Sequence, residues 1–219
     1  INIITIMISL VIGLYFVEGV LNFVKFGQTL PELDDRVAAA TELGIVFDER
    51  SKLEVVKAYW PNRQIHTHIM SKHPLNCLDD DIYKFSDIIY FHHESLDDKN
   101  KIISEIKKHK KTPGLVLHSI NDYDDLENVT DNFSEILVLS IKECGVSGQN
   151  FEKKAFVLVD KLNSLNQRRK FKICVDGGIK SNLISKISSE RVVSGSDVLN
   201  NKNPKNQIMR LQTLSRYEK

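Results

Sequence analysis

The sequence predicts an α/β chain folded as a (β/α)8 TIM barrel, and three observations carry that expectation. Short apolar runs alternate with amphipathic helical patterns from about residue 22 to residue 219, eight pairs with no linker or shift of composition between them. Several runs close on a residue able to do chemistry, as parallel strands do at the functional face of a barrel. Glycine-rich turns follow the sixth, seventh and eighth runs. An open doubly wound sheet is the alternative architecture. The strand count and the late glycine loops favour the barrel.

Each pair has its own justification. Asn22 to Gly27 reads as the first strand, followed by a helix in which Leu33, Val37 and Ala40 share a face and Gly44 is the stop. Gly44 to Asp48 is a strand ending in an acid, and Leu53 to Trp60 is a helix stopped by Pro61, with Trp60 packing beside it. Gln64 to His68 is the third strand, with a turn at His73–Pro74 and a helix near Leu78 to Phe85. Asp87 to His92 follows, then Lys101 to Lys108 with Ile102, Ile103 and Ile106 on one face. The run Lys107 to Lys111 suits a helix C-terminus, with Thr112–Pro113–Gly114 as the stop. Gly114 to Leu117 and Ile136 to Leu139 are strands five and six, with a helix near Tyr123 to Val129 between them. A long helix then carries Phe156, Val159, Leu162 and Leu165. Phe171 to Val175 and Val192–Val193 complete the strands, and the final helix holds Ile208, Leu211 and Leu214.

Composition bounds the function. With 219 residues, 42% hydrophobic and 27% charged, the chain suits one domain large enough for a barrel core. A net charge of +1 leaves no electrostatic footprint for nucleic acid. Cys77, Cys144 and Cys174 are odd in number and lack metal-type spacing, so they read as reduced thiols of a cytoplasmic protein. Residues 1–21 are set apart from the 22–219 barrel. Ile1 to Val17 is almost wholly apolar and closes at Glu18, a little short of the roughly 20 residues that span a bilayer. It has no basic leader and no starting Met, so the recorded start need not be the native one. A membrane anchor, a strand at Ile3 to Leu10 and an apolar helix over the barrel all fit that stretch. A homo-oligomer is compatible with the sequence.

The chemistry gathers at the strand ends. Asp48 closes strand two, His68 strand three and Asp176 strand seven, while His92 and Glu94 lie on or just after strand four. In an eight-stranded barrel the acids of strands two and seven face each other across the mouth. Two opposed carboxylates can take a proton from one face of a carbon next to a carbonyl and return one to the other, as an epimerase requires. Asp48, His68 and Asp176 could also share a divalent cation. Gly148, Gly177–Gly178 and Gly195–Ser196 bring backbone N–H groups to three successive strand ends, which suits a phosphate. Singly, each glycine is a turn residue, and Asp–Gly after a strand is a common turn.

The stretches His66–Thr67–His68–Ile69–Met70, Phe91–His92–His93–Glu94, Gly145 to Phe151, Val175 to Ile179 and Ser194–Gly195–Ser196 occur in order. As a set they resemble ribulose-phosphate 3-epimerases, whose patterns read D-V-H-L-M, F-H-x-E, G-F-G-G-Q-x-F, V-D-G-G-I and A-G-S. Lys25 to Leu30 is similar to that family's K-I-A-P-S-L, with Thr29 in place of serine, and Val46–Phe47–Asp48 is similar to its H-V-D. The resemblance implies a ribulose-phosphate-binding barrel with Asp48 and Asp176 as the acid/base pair. It implies a divalent metal of the zinc, iron or manganese type on Asp48, His68 and Asp176. It also implies a sugar phosphate held near Thr29, Met70, Gly148, Gly177, Gly178, Gly195 and Ser196.

The departures are as specific. Val46 stands where the family has a second histidine ligand, and the M-D-G-x-F-V-P-N loop after strand two is missing. Ser119–Ile120–Asn121 replaces P-G-T, Ser140 replaces a methionine, and Glu143–Cys144 replaces N-P. The expected function is therefore a metal-assisted 3-epimerase of a ketose phosphate, its alternative a barrel that binds sugar phosphate with lost or altered catalysis. The metal, with one imidazole fewer, is expected to be loosely held. His66 is expected to be a hydrogen-bonded interior histidine, His93 to face outward, and His118 to touch substrate or sit on the loop rim.

Overall fold

The computed structural model describes residues 7–10, 57–58, 61–62, 64–146 and 148–214. Seven strands lie in one sheet in chain order, each parallel to its neighbours. They are β1 (Met7–Leu10), β2 (His66–Ile69), β3 (Ile88–His92), β4 (Thr112–His118), β5 (Glu135–Leu139), β6 (Lys172–Asp176) and β7 (Arg191–Val193). Between and after them come α1 (Asp80–Phe85), α2 (Lys99–Lys108), α3 (Leu126–Thr130), α4 (Lys154–Ser164), α5 (Ser181–Ile184), α6 (Ser196–Leu199) and α7 (Pro204–Leu214). The six strands from β2 onward fall on sequence runs expected to be strands. The expected strands at Asn22 to Gly27 and Gly44 to Asp48 lie outside the described residues. β1 falls within the apolar stretch and takes the edge of β2 that the sequence reading gave to Gly44–Asp48, pairing Ser9 with His68. No helix among the described residues is long and apolar enough to cross a membrane.

Three helices start on an aspartate whose side chain accepts from otherwise unpaired backbone N–H groups. Asp79 accepts from Ile82 N (3.0 Å), Asp98 from Asn100 N (2.7 Å) and Lys101 N (3.1 Å), and Asp125 from Asn128 N (3.0 Å). α2 ends at Lys108 and its exit turns through Lys110 at φ 60°. The expected stop at Thr112–Pro113–Gly114 is instead the opening of β4. Proline is tolerated there because it stands second in the strand, near the ladder's start. Leu214, expected on the buried face of the last helix, is 39% exposed; Leu211 and Gln207 are buried in its place.

Alternation along the strands divides the core in two. Ile69, Ile89, Phe91, Leu115, Leu117, Ile136, Val138, Ile173 and Val175 belong to the cluster packed beneath the helices, with Ile82, Ile102, Ile106, Val159 and Leu162. Each such side chain contributes about 1.5–3 kcal/mol on burial. The other face carries Ile88, Tyr90, Val116, Leu137, Leu139 and Cys174. Covered on both faces, the strands read as near-continuous apolar runs. The sheet curls around this inner face. Tyr90 on β3 donates to Glu135 on β5 (3.4 Å), and Arg191 on β7 forms a buried ion pair with the same carboxylate. Each contact skips a strand, and strands lie about 4.8 Å apart.

Candidate active site

Continuing the inner row to the carboxyl ends of the strands brings His68, His92, His118 and Asp176 to one rim. Asp176 is the last residue of β6, half-buried, and burial pushes its carboxyl from 3.8 up to about 7. The backbone around it is pinned by Ser140, just past β5. Ser140 N donates to the Asp176 carbonyl (2.7 Å), and the Ser140 hydroxyl lies 2.8 Å from that oxygen and 2.7 Å from the Gly177 carbonyl. Serine in place of methionine thus supplies a donor to the turn that carries the acid.

Gly177 and Gly178 follow at φ 118° and 65°, the left-handed region open to glycine. A Cβ on Gly178 would stand 2.5 Å from Phe151 N, because the loop after β5 lies against this turn. Gln149 shapes that loop from within: its amide donates to Glu143 O (2.6 Å) and Val146 O (2.7 Å) and accepts from Glu143 N (2.9 Å). The glutamine of the motif is therefore a scaffold of the loop. Gly148 has φ 75° with open space around it, and Gly195 is exposed with nothing near a would-be Cβ. Ser194 Oγ donates to Ile179 O (2.8 Å), which ties the loops after β6 and β7 together, and Ser196 opens α6. Met70, half-buried, follows β2.

Sequence reasoning left His92, Glu94 and Cys144 without roles, yet they form the densest polar contacts of the rim. His92 Nε2 lies 2.9 Å from His68 Nε2, with the rings stacked at 4.9 Å, and 3.5 Å from Cys144 Sγ. His92 Nδ1 faces Glu94 Oε2 at 3.7 Å. Glu94 also accepts from the Tyr123 hydroxyl (3.0 Å) and from Asn121. Desolvation pushes the Glu94 carboxyl up, but its hydrogen bonds outweigh that and hold it at about 2. Burial raises Cys144 to about 11, with Asp176 and Glu94 adding to it, so its thiol is protonated at neutral pH. Burial, then the neighbouring His92, hold His68 well below the usual histidine range. The signal for this group was in the sequence, as F-H-x-E and the Cys144 departure; no spacing rule brings Cys144 to His92 across β4.

Other expectations change. His118 donates from Nε2 to Ile141 O (2.7 Å), so its ring ties adjacent loops together. His66 is interior but not hydrogen-bonded: both ring nitrogens are buried without a partner, and burial lowers it to about 3. His93 packs edge-on against Tyr123 and meets Lys99 Nζ at 3.0 Å. Asp48, Val46 and Thr29 lie outside the described residues. Among the described residues no group of three or more His, Cys, Asp or Glu can hold a metal ion, and His68 and Asp176 do not suffice by themselves. A cavity of about 290 Å³ opens at the opposite, amino ends of the strands, between Asp87, Glu135, Lys172 and Arg191.

Comparison with known proteins identifies the family and the fold. Residues 45–199 match the Ribulose-phosphate 3 epimerase family. The chain is 33% identical over 150 residues to a ribulose-phosphate 3-epimerase of Buchnera aphidicola subsp. Baizongia pistaciae; the match spans 64% of this chain and 65% of that protein. Among solved structures, a 3-hexulose-6-phosphate synthase from Salmonella typhimurium superposes with a TM-score of 0.57 at 18% identity, covering 76% of this chain and 80% of that one. A tryptophan synthase alpha-subunit from Pyrococcus furiosus gives 0.56 at 13% identity, covering 90% and 91%. These two share the fold.

Proposed function

Because the chain belongs to the ribulose-phosphate 3-epimerase family, we propose that it interconverts ribulose 5-phosphate and xylulose 5-phosphate, or a closely related pair of ketose phosphates, as a cytoplasmic isomerase. Its strands would close as an eight-stranded (β/α)8 barrel with the site at their carboxyl ends. The observation that carries the reading is Asp176: a carboxyl at a strand end whose burial brings it to about 7, where it can both give and take a proton near neutral pH. Asp48 would take the proton next to the ketone on one face while Asp176 returns one on the other. Gly148, Gly177, Gly178, Gly195 and Ser196 would hold the phosphate by backbone N–H groups, with Thr29 and Met70 beside the sugar. The divalent cation expected of the family finds only His68 and Asp176 of its three expected ligands among the described residues.

The test is isotope exchange. Incubated with ribulose 5-phosphate in deuterium oxide, the protein should place deuterium at one carbon of the sugar. No exchange with any pentulose or hexulose phosphate would end the epimerase reading. The engagement of His68 Nε2 by His92 favours a second reading, a barrel that binds sugar phosphate without turning it over. That reading expects phosphate-dependent binding with no exchange.

A further inference from the structure

The amino ends of the strands carry charge that the rim chemistry does not use. The cavity of about 290 Å³ there is lined from the starts of β2 to β7. Lys172 opens β6 and Asp176 closes it, so cavity and rim stand about 13 Å apart, at about 3.3 Å per residue. Four cations line the cavity, Arg169, Lys170, Lys172 and Arg191, against two carboxylates, Asp87 and Glu135. The chain as a whole carries only +1, so this wall concentrates positive charge. Both carboxylates are already engaged. Asp87 accepts from Ile65 N (2.8 Å) and faces Lys57 Nζ at 3.3 Å. Glu135 accepts from both Nη groups of Arg191 and from the Tyr90 hydroxyl. Lys170 reaches Asp131 at 3.3 Å, and Arg168, off the cavity wall, takes Glu190. Arg169 and Lys172 are exposed and form no ion pair with a carboxylate among the described residues.

We infer that this cavity is a second binding site, for a small molecule bearing a doubly charged oxyanion, with Arg191 as its fixed donor and Arg169 and Lys172 as its counter-charge. The Arg191 side chain is only 11% exposed, and its fork on Glu135 holds the guanidinium in one plane. That fork uses one N–H of each Nη and leaves the other donors of the group for a molecule in the cavity. A donor fixed before binding loses little freedom when a ligand arrives. Thr112 and Ser134 add hydroxyls at the starts of β4 and β5. Two uncommitted cations beside that guanidinium call for two negative charges, because a monoanion leaves one cation unmatched. Guanidinium groups suit the oxygens of carboxylates and phosphates alike. Ligand pockets run from about 300 to 1,000 Å³, so the occupant is small. The site lies apart from the proposed epimerase rim and does not depend on that reading.

The experiment is a titration of the intact ¹⁵N-labelled chain at pH 8, followed by amide chemical shifts. The probes are inorganic phosphate, succinate and acetate, with ionic strength held constant by sodium chloride. The amides of Ser134, Glu135 and Lys172 report the cavity, and those of Gly177 and Gly195 report the rim. Phosphate and succinate, dianions at this pH, should each shift the cavity amides to saturation, whereas acetate should not. In the double variant Arg169→Gln with Lys172→Gln the cavity affinity should fall by about tenfold or more. The rim response to phosphate should be the same in both proteins. Each single variant should fall between them and serves alone if the double variant does not fold. A cavity response to only one of the dianions keeps the site and narrows its class. An equal response to acetate, or one that survives unchanged in the variants, overturns the site. So does the absence of any saturable cavity shift with both dianions. Phosphate shifts confined to the rim would support the cradle proposed there and overturn the cavity site; shifts confined to the cavity would do the reverse.

Discussion

Asp176 concentrates the residue-scale physics. Its folded value of about 7 lies above the ordinary 3.8, so the folded state holds the proton more tightly than the unfolded chain does. Stability therefore falls as pH rises from about 4 to about 7, and the full cost is present above 7. Asp176→Asn removes that cost. Thermal unfolding should show the variant more stable than the unmutated protein at pH 8, by about 1–2 kcal/mol after discounting for water at a half-buried site, and equal to it near pH 4. The same change should lower turnover by about 10²–10⁴-fold. A loss of stability at pH 8 would mean that Asp176 is not desolvated as described. The pH profile follows from the same group. Under the proposed epimerase mechanism the acid pair would carry one proton in either direction, since the two forms are tautomers with equal proton count. Initial rates of both directions should fall together above pH 7. Profiles that diverge would contradict a shared proton.

At the scale of elements, the glycine turns divide into two kinds that the motif does not distinguish. Gly178 is at φ 65° with the backbone of Asn150 and Phe151 against it, whereas Gly195 is at φ −78° with open space around it. Gly178→Ala should cost about 1–3 kcal/mol of stability and loosen the loop after β5, measured by denaturant unfolding and proteolysis. Gly195→Ala should leave stability within about 0.5 kcal/mol but weaken competition by inorganic phosphate, measured by calorimetry. Equal phosphate affinity in Gly195→Ala and the unmutated protein would remove this turn from the phosphate site. Strand positions were legible because a strand buried on both faces is an apolar run, whichever way its residues point. Helix starts were less so: Asp79, Asp98 and Asp125 each cap a helix, and the apolar periodicity begins elsewhere.

At the scale of the whole molecule, the inner face is joined across strands by Tyr90, Glu135 and Arg191, from β3, β5 and β7. Both members of the ion pair are nearly buried, with side chains 8% and 11% exposed. Removing one partner strands a charge, so Glu135→Leu or Arg191→Met should each cost about 3–5 kcal/mol. The double variant Glu135→Leu with Arg191→Met should recover much of that loss. Urea unfolding of the four proteins decides it; additive losses would mean that the pair acts independently at its two ends.

The sequence by itself determined the parallel α/β alternation, the strand positions from β2 to β7 and the family, because these rest on local periodicity and contiguous motifs. It also singled out Asp176 as an acid at a strand end. Only the tertiary structure decided how the rim is wired. The curl of the sheet brings Cys144 to His92, His118 to the Ile141 carbonyl and Ser140 to the Asp176–Gly177 turn, and burial rather than any neighbouring charge sets the Asp176 carboxyl near 7. Such contacts depend on how far a sheet bends and which loop lies on which turn, and neither quantity is written in the spacing of residues along the chain.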